Sequence, residues 1–482
     1  MDLEKTITRL LAITLTAPLI LLSAGTLVNA EGESIRVIST SVTSEFPGGI
    51  RFKVQASGEN EITSVAVRFK TGRQTRGTYD YLNLQQGLTI ESELFFRTNT
   101  GARYIPPGTI ITYNFEIEDS EGQRLDTEPV EFIYQDPRFE WNEVSQGPVT
   151  VAYHGPVKTR ADLILDAIIQ TIDFMGPLLG ADTEEPIRVN MYNNVKEMLE
   201  ALPPGSTTIR RELITEGQAF TNVGTLLVLG GGRAATGTAS HEVTHILTHR
   251  AGDSVFSNVP QWLDEGLAEY GNIAPGFSYD IALEFALETD RLLPITSMAT
   301  LPGIPEDVII FYGESRSLIR FMVRQFGPQK MKKLMTSLKG GANMEDALQE
   351  AYGVGRLRLE NLWRESIGAP EYVPPETGTA RPTPIARPTF LPYSLTPQPE
   401  SATISAVEST PTPEPEATIT PTPALIATVA PASEQPPAAQ PESGGGGGCN
   451  APVHGGPKAL DMSVFAFLVG LAGLCLRRTM KR

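Results

Sequence analysis

Two histidines separated by three residues stand in the stretch His241-Glu242-Val-Thr-His245. Residues four apart on an α-helix project from one face, so both imidazoles can bind a single Zn²⁺ at about 2.0–2.1 Å. Glu242 lies between them and is placed to take a proton from a water whose pKa the ion has lowered to about 7. The pattern predicts a hydrolytic metal site, which needs a third protein ligand and one position left for water.

Three positions after the second histidine have to be considered in the search for the third ligand. Ala251 stands six residues on, where one class of zinc enzymes has a further histidine, so that class is excluded. His249 continues the four-residue series, but each turn drifts by about 40° from the face, which places it at the solvated helix end. Glu265 is favoured, because Gly252 and Pro260 separate two helices and an antiparallel second helix would return it to the first.

The pair HEVTH and Trp262-Leu-Asp-Glu-Gly-Leu-Ala-Glu-Tyr270 resembles the gluzincin metallopeptidases, in particular the peptidase MA-like domains related to the zinc aminopeptidase catalytic domain. The resemblance implies that Glu265 is the third zinc ligand. It also implies that Tyr312, at the start of a later helix, supports the oxyanion, with a half-buried packing role as the alternative. Glu269 either orients a zinc histidine or lies on the surface. Asp264 points about 100° away and is predicted to be a solvated or capping carboxylate.

One aminopeptidase motif has no counterpart in this chain. The Gly-Ala-Met-Glu-Asn segment of those enzymes, whose glutamate holds a free substrate amine, has no match between Arg211 and Gly232. Endopeptidase activity is therefore favoured over aminopeptidase activity.

Just before the helix that carries the two histidines, residues 225–229 are predicted to form an edge strand that pairs with the substrate backbone.

The chain is predicted to be multidomain. Residues 34–135 carry short alternating runs separated by turn signals such as Gly58-Glu-Asn60, which predict an all-β immunoglobulin- or fibronectin-like sandwich. That part contains no histidine or cysteine, so it is either a spacer or a module that recognises a partner. Residues 148–368 alternate strands with helices and predict an α+β gluzincin-type metallopeptidase domain.

Both ends of the chain carry targeting or anchoring signals. Residues 1–30 are typical of a signal peptide, with an uncleaved N-terminal anchor as the alternative. Residues 369–448, rich in proline and threonine, predict a disordered linker. Residues 449–482 combine Cys449, a short apolar helix and a basic end, and predict a membrane anchor or a sorting signal processed at the cysteine.

The composition narrows the class of partner. A net charge of −17 and a pI near 4.9 argue against a nucleic-acid partner. The only cysteines, Cys449 and Cys475, lie outside the predicted domains, so no thiolate chemistry is expected. Together the patterns predict an exported Zn²⁺ peptidase, anchored at the cell surface, that acts on peptides or proteins. The alternatives are a surface binding or adhesion protein whose zinc domain is a scaffold, and a zinc hydrolase acting on another bond.

Overall fold

The computed structural model describes residues 34–72, 74–100, 103–203, 216–231, 234–255 and 259–375. The predicted signal peptide, almost all of the predicted linker and the C-terminal segment with Cys449 lie outside the described residues. Within those ranges, no helix combines the length and the apolar character that crossing a bilayer requires.

The N-terminal region is rich in β-structure, as predicted. A seven-stranded antiparallel sheet is built around one long central strand, β2. Its strands are β1 Ile35–Glu45, β2 Gly49–Thr71, β3 Thr78–Tyr81, β4 Gly87–Arg97, β5 Thr109–Asp119, β6 Arg124–Asp126 and β7 Val130–Tyr134. The immunoglobulin- or fibronectin-like topology stays a prediction.

The turn predicted at Gly58-Glu-Asn60 is wrong, because β2 continues through it. The first half of β2 pairs with β1 and β4, and its second half pairs with β3 and β5. Its pairing with β4 shifts register between Ser57 and Ile62. The glycine thus allows a local irregularity where the strand changes partners, without ending the strand.

The second part of the chain combines a five-stranded sheet with helices. The strands are β8 Trp141–Gln146, β9 Val149–His154, β10 Ile187–Tyr192, β11 Gly217–Phe220 and β12 Thr225–Leu229, in the order β11-β12-β10-β9-β8. The three inner strands are parallel, and the two outer ones are antiparallel to their neighbours. The helices are α1 Lys158–Leu179, α2 Val195–Ala201, α3 Ala235–Gly252, α4 Gln261–Gly271, α5 Ser278–Glu288, α6 Pro305–Phe326, α7 Pro328–Lys339, α8 Met344–Tyr352 and α9 Arg356–Ser366.

Residues 225–229 do not form the edge strand that was predicted. Strand β12 lies between β11 and β10, and among the described strands the edge is formed by Gly217–Phe220. All five residues of β12 are buried. The last four are apolar without alternation, which is typical of a strand covered on both faces and explains its inner position.

Helices α3 and α4 are packed into the centre of this domain. Helix α3 contacts α1, α4 and the strands β11 and β12. Helix α4 approaches α6 so closely that a Cβ on Gly266 would lie 2.6 Å from the carbonyl oxygen of Ser315. A glycine at this position therefore permits the contact that holds α4 between α3 and α6.

Candidate metal centre

Three side chains from α3 and α4 converge on one point, as the sequence predicted. The Nε2 atoms of His241 and His245 lie 3.2 Å apart. Glu265 Oε2 lies 3.4 Å from Nε2 of His241 and 3.6 Å from Nε2 of His245. All three residues are buried, and they form the one group of three possible metal ligands among the described residues.

The spacing of these three atoms fits a bound metal ion. Tetrahedral ligands at about 2.0–2.1 Å from zinc are separated from one another by roughly 3.3–3.4 Å. Glu265 Oε2 is buried and has no hydrogen-bond partner among the described residues. An unpaired carboxylate oxygen facing two imidazole nitrogens in the interior is costly unless a cation lies between them. The donor set therefore fits a divalent metal, and the ion's identity belongs to the proposal below.

Each of the three side chains also contacts a polar group on its far side. Nδ1 of His241 lies 2.8 Å from Glu269 Oε1, and Nδ1 of His245 lies 2.8 Å from Asp264 Oδ1. Gln261 donates to Glu265 Oε1 at 2.8 Å. When each Nδ1–H donates to its carboxylate, both Nε2 lone pairs face the common point, which is the tautomer that a metal ligand needs.

The prediction for Asp264 was wrong. Its side chain is 3% exposed, and it contacts His245 and, through Oδ2, Nε2 of His249 at 3.2 Å. Helix α4 is enclosed, so the direction 100° from Glu265 leads to the second imidazole and not to solvent. The burial of Asp264 would raise its pKa, but the two histidines hold that pKa well below its usual range.

His249 is not at a solvated helix end either. Its ring lies between two carboxylates, with Nδ1 at 2.6 Å from Asp253 Oδ2 and Nε2 near Asp264. Burial alone would lower its pKa, but the charges of Asp264 and Asp253 raise the pKa of His249 to about 10. The imidazole is therefore a cation at neutral pH.

Glu242 lies on α3 between the two histidines and is fully buried. It faces the edge strand of the sheet, because a Cβ built on Gly217 would lie 2.5 Å from Glu242 Oε1. That Cβ would also lie 2.5 Å from Cγ2 of Thr238 on α3. Strand β11 therefore passes directly over the glutamate that the sequence singled out as a general base.

Tyr312 lies on α6, the helix that packs on α4, and is 2% exposed. Helix α6 begins at Pro305, so Tyr312 is two turns inside it and not at its start as predicted. Its ring stacks on Tyr279 of α5 at 5.4 Å between centroids. Whether its hydroxyl assists an oxyanion stays a prediction.

Sequence reasoning did not single out Gln261, and it assigned Asp264 and His249 to solvent. For Gln261 a signal was present, because it precedes Glu265 by one helical turn and an amide at that spacing can reach the carboxylate. The other two needed the relative rotation of α3 and α4, which the sequence does not encode in a local pattern.

Comparison with known proteins bears on the region that carries this centre. A sequence model of the Peptidase MA superfamily matches residues 166–369. No curated protein matches the chain. Among solved structures, an aminopeptidase N family protein from Idiomarina loihiensis is similar at 10% identity, over 67% of this chain and 77% of that one, with a TM-score of 0.29. A carbohydrate-binding module family 56 β-1,3-glucan binding domain is similar at 15% identity, over 20% of this chain and 98% of that one, with a TM-score of 0.13. At TM-scores this low, the superfamily match alone bears on the site.

Proposed function

Residues 166–369 form a domain of the Peptidase MA superfamily, and on this premise we propose that the chain is a zinc-dependent peptidase tethered to the cell surface. The observation that carries the proposal is the triangle of ligand atoms, with edges of 3.2, 3.4 and 3.6 Å. Three protein ligands of the types His, His and Glu are those of hydrolytic zinc sites that leave one position for water.

In this proposal His241, His245 and Glu265 hold the ion. When bound, Zn²⁺ lowers the pKa of water and polarises the scissile carbonyl. Glu242 accepts the proton of the attacking water and passes it to the leaving amine, as a general base and then a general acid. Tyr312 donates its hydroxyl proton in a hydrogen bond to the carbonyl oxygen as negative charge develops there, a contribution of about 2.7–4 kcal/mol in other enzymes.

Endopeptidase action is proposed because of the composition of β11. This four-residue edge strand, Gly217–Phe220, contains no carboxylate that could hold a substrate amine. It is the outermost strand of the described sheet and lies beside Glu242, and in this proposal it pairs with an extended substrate backbone anywhere along a chain. The nearest carboxylate in sequence is Glu216, whose pKa is raised by burial.

Free and acetylated N-termini separate the two kinds of peptidase. We expect matched peptides with free and with acetylated N-termini to be cleaved at internal bonds with similar kcat/KM. We also expect Glu216→Gln to leave kcat/KM unchanged for both kinds of peptide. Cleavage confined to the first residue of unblocked peptides would contradict the endopeptidase proposal while leaving the zinc mechanism in place.

Export and tethering rest on segments outside the described residues. The signal peptide at residues 1–30 and the anchor or sorting signal at residues 449–482 are proposed from their composition. Fractionation of cells that express the full chain, followed by mass spectrometry of its two ends, tests both. Recovery of the intact chain from the soluble cell interior would contradict the proposal.

The central experiment is the substitution Glu242→Gln. The amide keeps the size of the side chain but cannot accept the proton, so we expect zinc to bind with unchanged stoichiometry and kcat to fall by about 10²–10⁴-fold or more. Zinc content is measured by metal analysis, and turnover by cleavage of a mixed peptide library with and without chelator.

The matched control is Glu365→Gln, an exposed glutamate on α9. It should leave both zinc content and turnover unchanged. Full activity of the Glu242→Gln enzyme would reject the mechanism, and cleavage that persists in chelator would reject the metal requirement.

A further inference from the structure

A third histidine follows the two proposed ligands on α3, and the mechanism does not use it. Both nitrogens of His249 are occupied by carboxylates, Nδ1 by Asp253 Oδ2 at 2.6 Å and Nε2 by Asp264 Oδ2 at 3.2 Å. The exposed fraction of the side chain is 11%, against 32% for Asp253 and 3% for Asp264. This ring is therefore engaged on both sides and closed to a metal.

The contacts continue from His249 to a proposed zinc ligand. Oδ1 of Asp264 lies 2.8 Å from Nδ1 of His245, while its Oδ2 faces His249. A line of four alternating groups thus runs from His245 through Asp264 and His249 to Asp253. It crosses from α3 to α4 and back to the end of α3, behind the ligand atoms.

We propose that His249 is a positioning residue of the metal centre, which fixes Asp264 in the orientation that holds the imidazole of His245 ready for the ion. The inference rests on the proposed function, since it assigns His245 to a zinc ion. It concerns a residue whose ring nitrogens do not face that ion.

The burial of Asp264 explains why both of its oxygens need a partner. A buried carboxylate is costly unless it is paired. His245 contacts Oδ1, so the second oxygen, Oδ2, depends on another side chain. Among the described residues, His249 makes that contact, and Asp253 on its far side fixes the ring of His249.

Without His249, the second oxygen of Asp264 would lose its partner. The carboxyl group would then be able to rotate towards another donor, and that rotation removes the acceptor that fixes the Nδ1–H tautomer of His245. Partners behind metal ligands typically contribute 10–100-fold to metal affinity. Because His249 is one contact further from the ion, we expect its contribution to metal affinity to lie at the lower end of that range.

The first test measures the zinc dissociation constant of His249→Ala by competition with a chromogenic chelator. We expect zinc to bind about tenfold more weakly than in the wild type. The direction is informative, because a residue that acted only through its positive charge would repel the ion, and its loss would tighten binding. Unchanged or tighter binding overturns the proposal.

A matched control is available in His154. Its imidazole is also largely buried, in the same part of the chain, and pairs with Glu197 at 3.1 Å. The side chains that hydrogen-bond to it, Glu197 and Asn193, are not proposed metal ligands, so His154→Ala should lower the melting temperature while leaving zinc affinity unchanged. Melting temperatures of all variants are compared in excess chelator, which separates a general loss of stability from a loss of zinc affinity.

The second test asks whether His249 acts through Asp264. We expect the double variant His249→Ala/Asp264→Asn to bind zinc as weakly as Asp264→Asn alone, because the first change has nothing further to misplace. Independent, multiplying effects would overturn the role assigned to His249.

If His249→Ala does not fold, Asp253→Asn replaces it. The amide oxygen can still accept from the backbone N–H of Val259, a contact of 3.1 Å, but an NH2 group replaces the oxygen that accepts from Nδ1 of His249. Weaker zinc binding is expected here as well, and unchanged affinity in this variant overturns the proposal. A wild-type protein that binds no zinc would instead reject the proposed function, so the two failures are distinguishable.

Discussion

At the level of single residues, one helix supplies both a proposed ligand and the groups that contact all three proposed ligands. Helix α4 carries Glu265, and its residues Gln261, Asp264 and Glu269 contact Glu265, His245 and His241 from behind. Gln261 and Glu269 lie one turn before and one turn after Glu265, on the same face. The centre is thereby held before any ion binds, because side chains fixed on a rigid element keep their geometry better than side chains on a loop.

The glycine beneath the proposed general base gives a prediction at the same scale. In Gly217→Ala the added Cβ would lie 2.5 Å from Glu242 Oε1 and 2.5 Å from Thr238 Cγ2, so the carboxylate has to move. We expect kcat to fall by about 10²-fold, since the base loses its position, while zinc affinity stays unchanged. Steady-state kinetics and chelator competition measure the two quantities.

The control for this variant is Gly303→Ala, where a Cβ would meet no atom within 4 Å. That enzyme should behave as the wild type. Equal activities of the Gly217→Ala and Gly303→Ala enzymes would show that Glu242 does not depend on the close passage of β11.

How far single residues could be assigned from the sequence depended on whether one helix or two were involved. His241, Glu242 and His245 share one helix, and a spacing of four puts the two histidines on a common face. Glu265 required a second helix, and its place was predicted from the break between Gly252 and Pro260. Asp264 was missed because a position on a helical wheel gives a direction and does not tell which neighbour lies there.

At the level of elements, the sequence distinguished strands from helices better than it distinguished inner from edge strands. Residues 225–229 were recognised as a strand, but the prediction placed that strand at the edge. Its four consecutive apolar residues are typical of an inner strand, and β12 is an inner strand. The true edge, β11, has only four residues and one aromatic side chain. So short a run carries too little periodicity to stand out before the structure is known.

A second feature of the elements is a buried carboxylate on α6, away from the proposed metal ligands. Glu314 is 1% exposed and accepts from the backbone N–H of Leu293 at 3.0 Å. Burial raises the pKa of Glu314 to about 8, and Glu360 and Asp307 add to the effect while Arg364 opposes it. This group connects α6 to the segment that precedes Ile295, whose own N–H bonds to Glu360 of α9 at 3.1 Å.

The raised pKa of Glu314 predicts how stability changes with pH. Between about pH 4.5 and pH 8 the folded chain holds a proton that the unfolded chain has released, so the free energy of unfolding falls as pH rises through this window. In the variant Glu314→Gln, the amide oxygen can still accept from the backbone N–H of Leu293, but the side chain has no charge to bury. We expect the melting temperature of Glu314→Gln, relative to the wild type, to rise by on the order of 2–8 °C from pH 5 to pH 8, or about 1–2 kcal/mol.

Thermal unfolding at several pH values, in excess zinc throughout, measures this difference. Glu284→Gln, an exposed glutamate on α5, serves as the control and should follow the wild type at every pH. Parallel curves for the Glu314→Gln protein and the wild type would contradict the assignment of a buried, protonated Glu314.

At the level of the whole described molecule, the five-stranded sheet is covered on both faces. Leu226 and Val228 of β12 belong to the hydrophobic cluster of the helical side. Leu227 and Leu229 belong to a second cluster that also contains Phe52, Phe115 and other residues of the N-terminal sheet. Alternate residues of one strand thus pack in opposite directions, one set against the helices and the other against the N-terminal β-region.

This packing could not be predicted from the sequence. The alternation of apolar residues in 34–135 indicates strands, but it does not say whether their outward faces meet solvent or another sheet. The interpretation of this region as a spacer or a partner-binding module left out a third role, in which it completes the apolar cover of the peptidase sheet. The N-terminal region also packs against the proposed substrate-binding strand, because Phe220 of β11 lies in the shared hydrophobic cluster.

Tyr104 provides the test of that role. Its ring lies 5.5 Å from Phe220 between centroids, and its hydroxyl donates to the carbonyl oxygen of Ala201 at the end of α2. We expect Tyr104→Ala to destabilise the protein by about 1–3 kcal/mol and to raise KM more than it lowers kcat, because β11 loses support while the metal ligands keep theirs. Tyr81→Ala, at a tyrosine that is 60% exposed on β3, should change neither stability nor KM.

Calorimetry should show the N-terminal β-region and the peptidase domain melting in one transition that Tyr104→Ala shifts as a whole. Two separate transitions, of which Tyr104→Ala lowers only the first, together with an unchanged KM, would mean that the N-terminal region is attached to the peptidase without supporting its substrate edge.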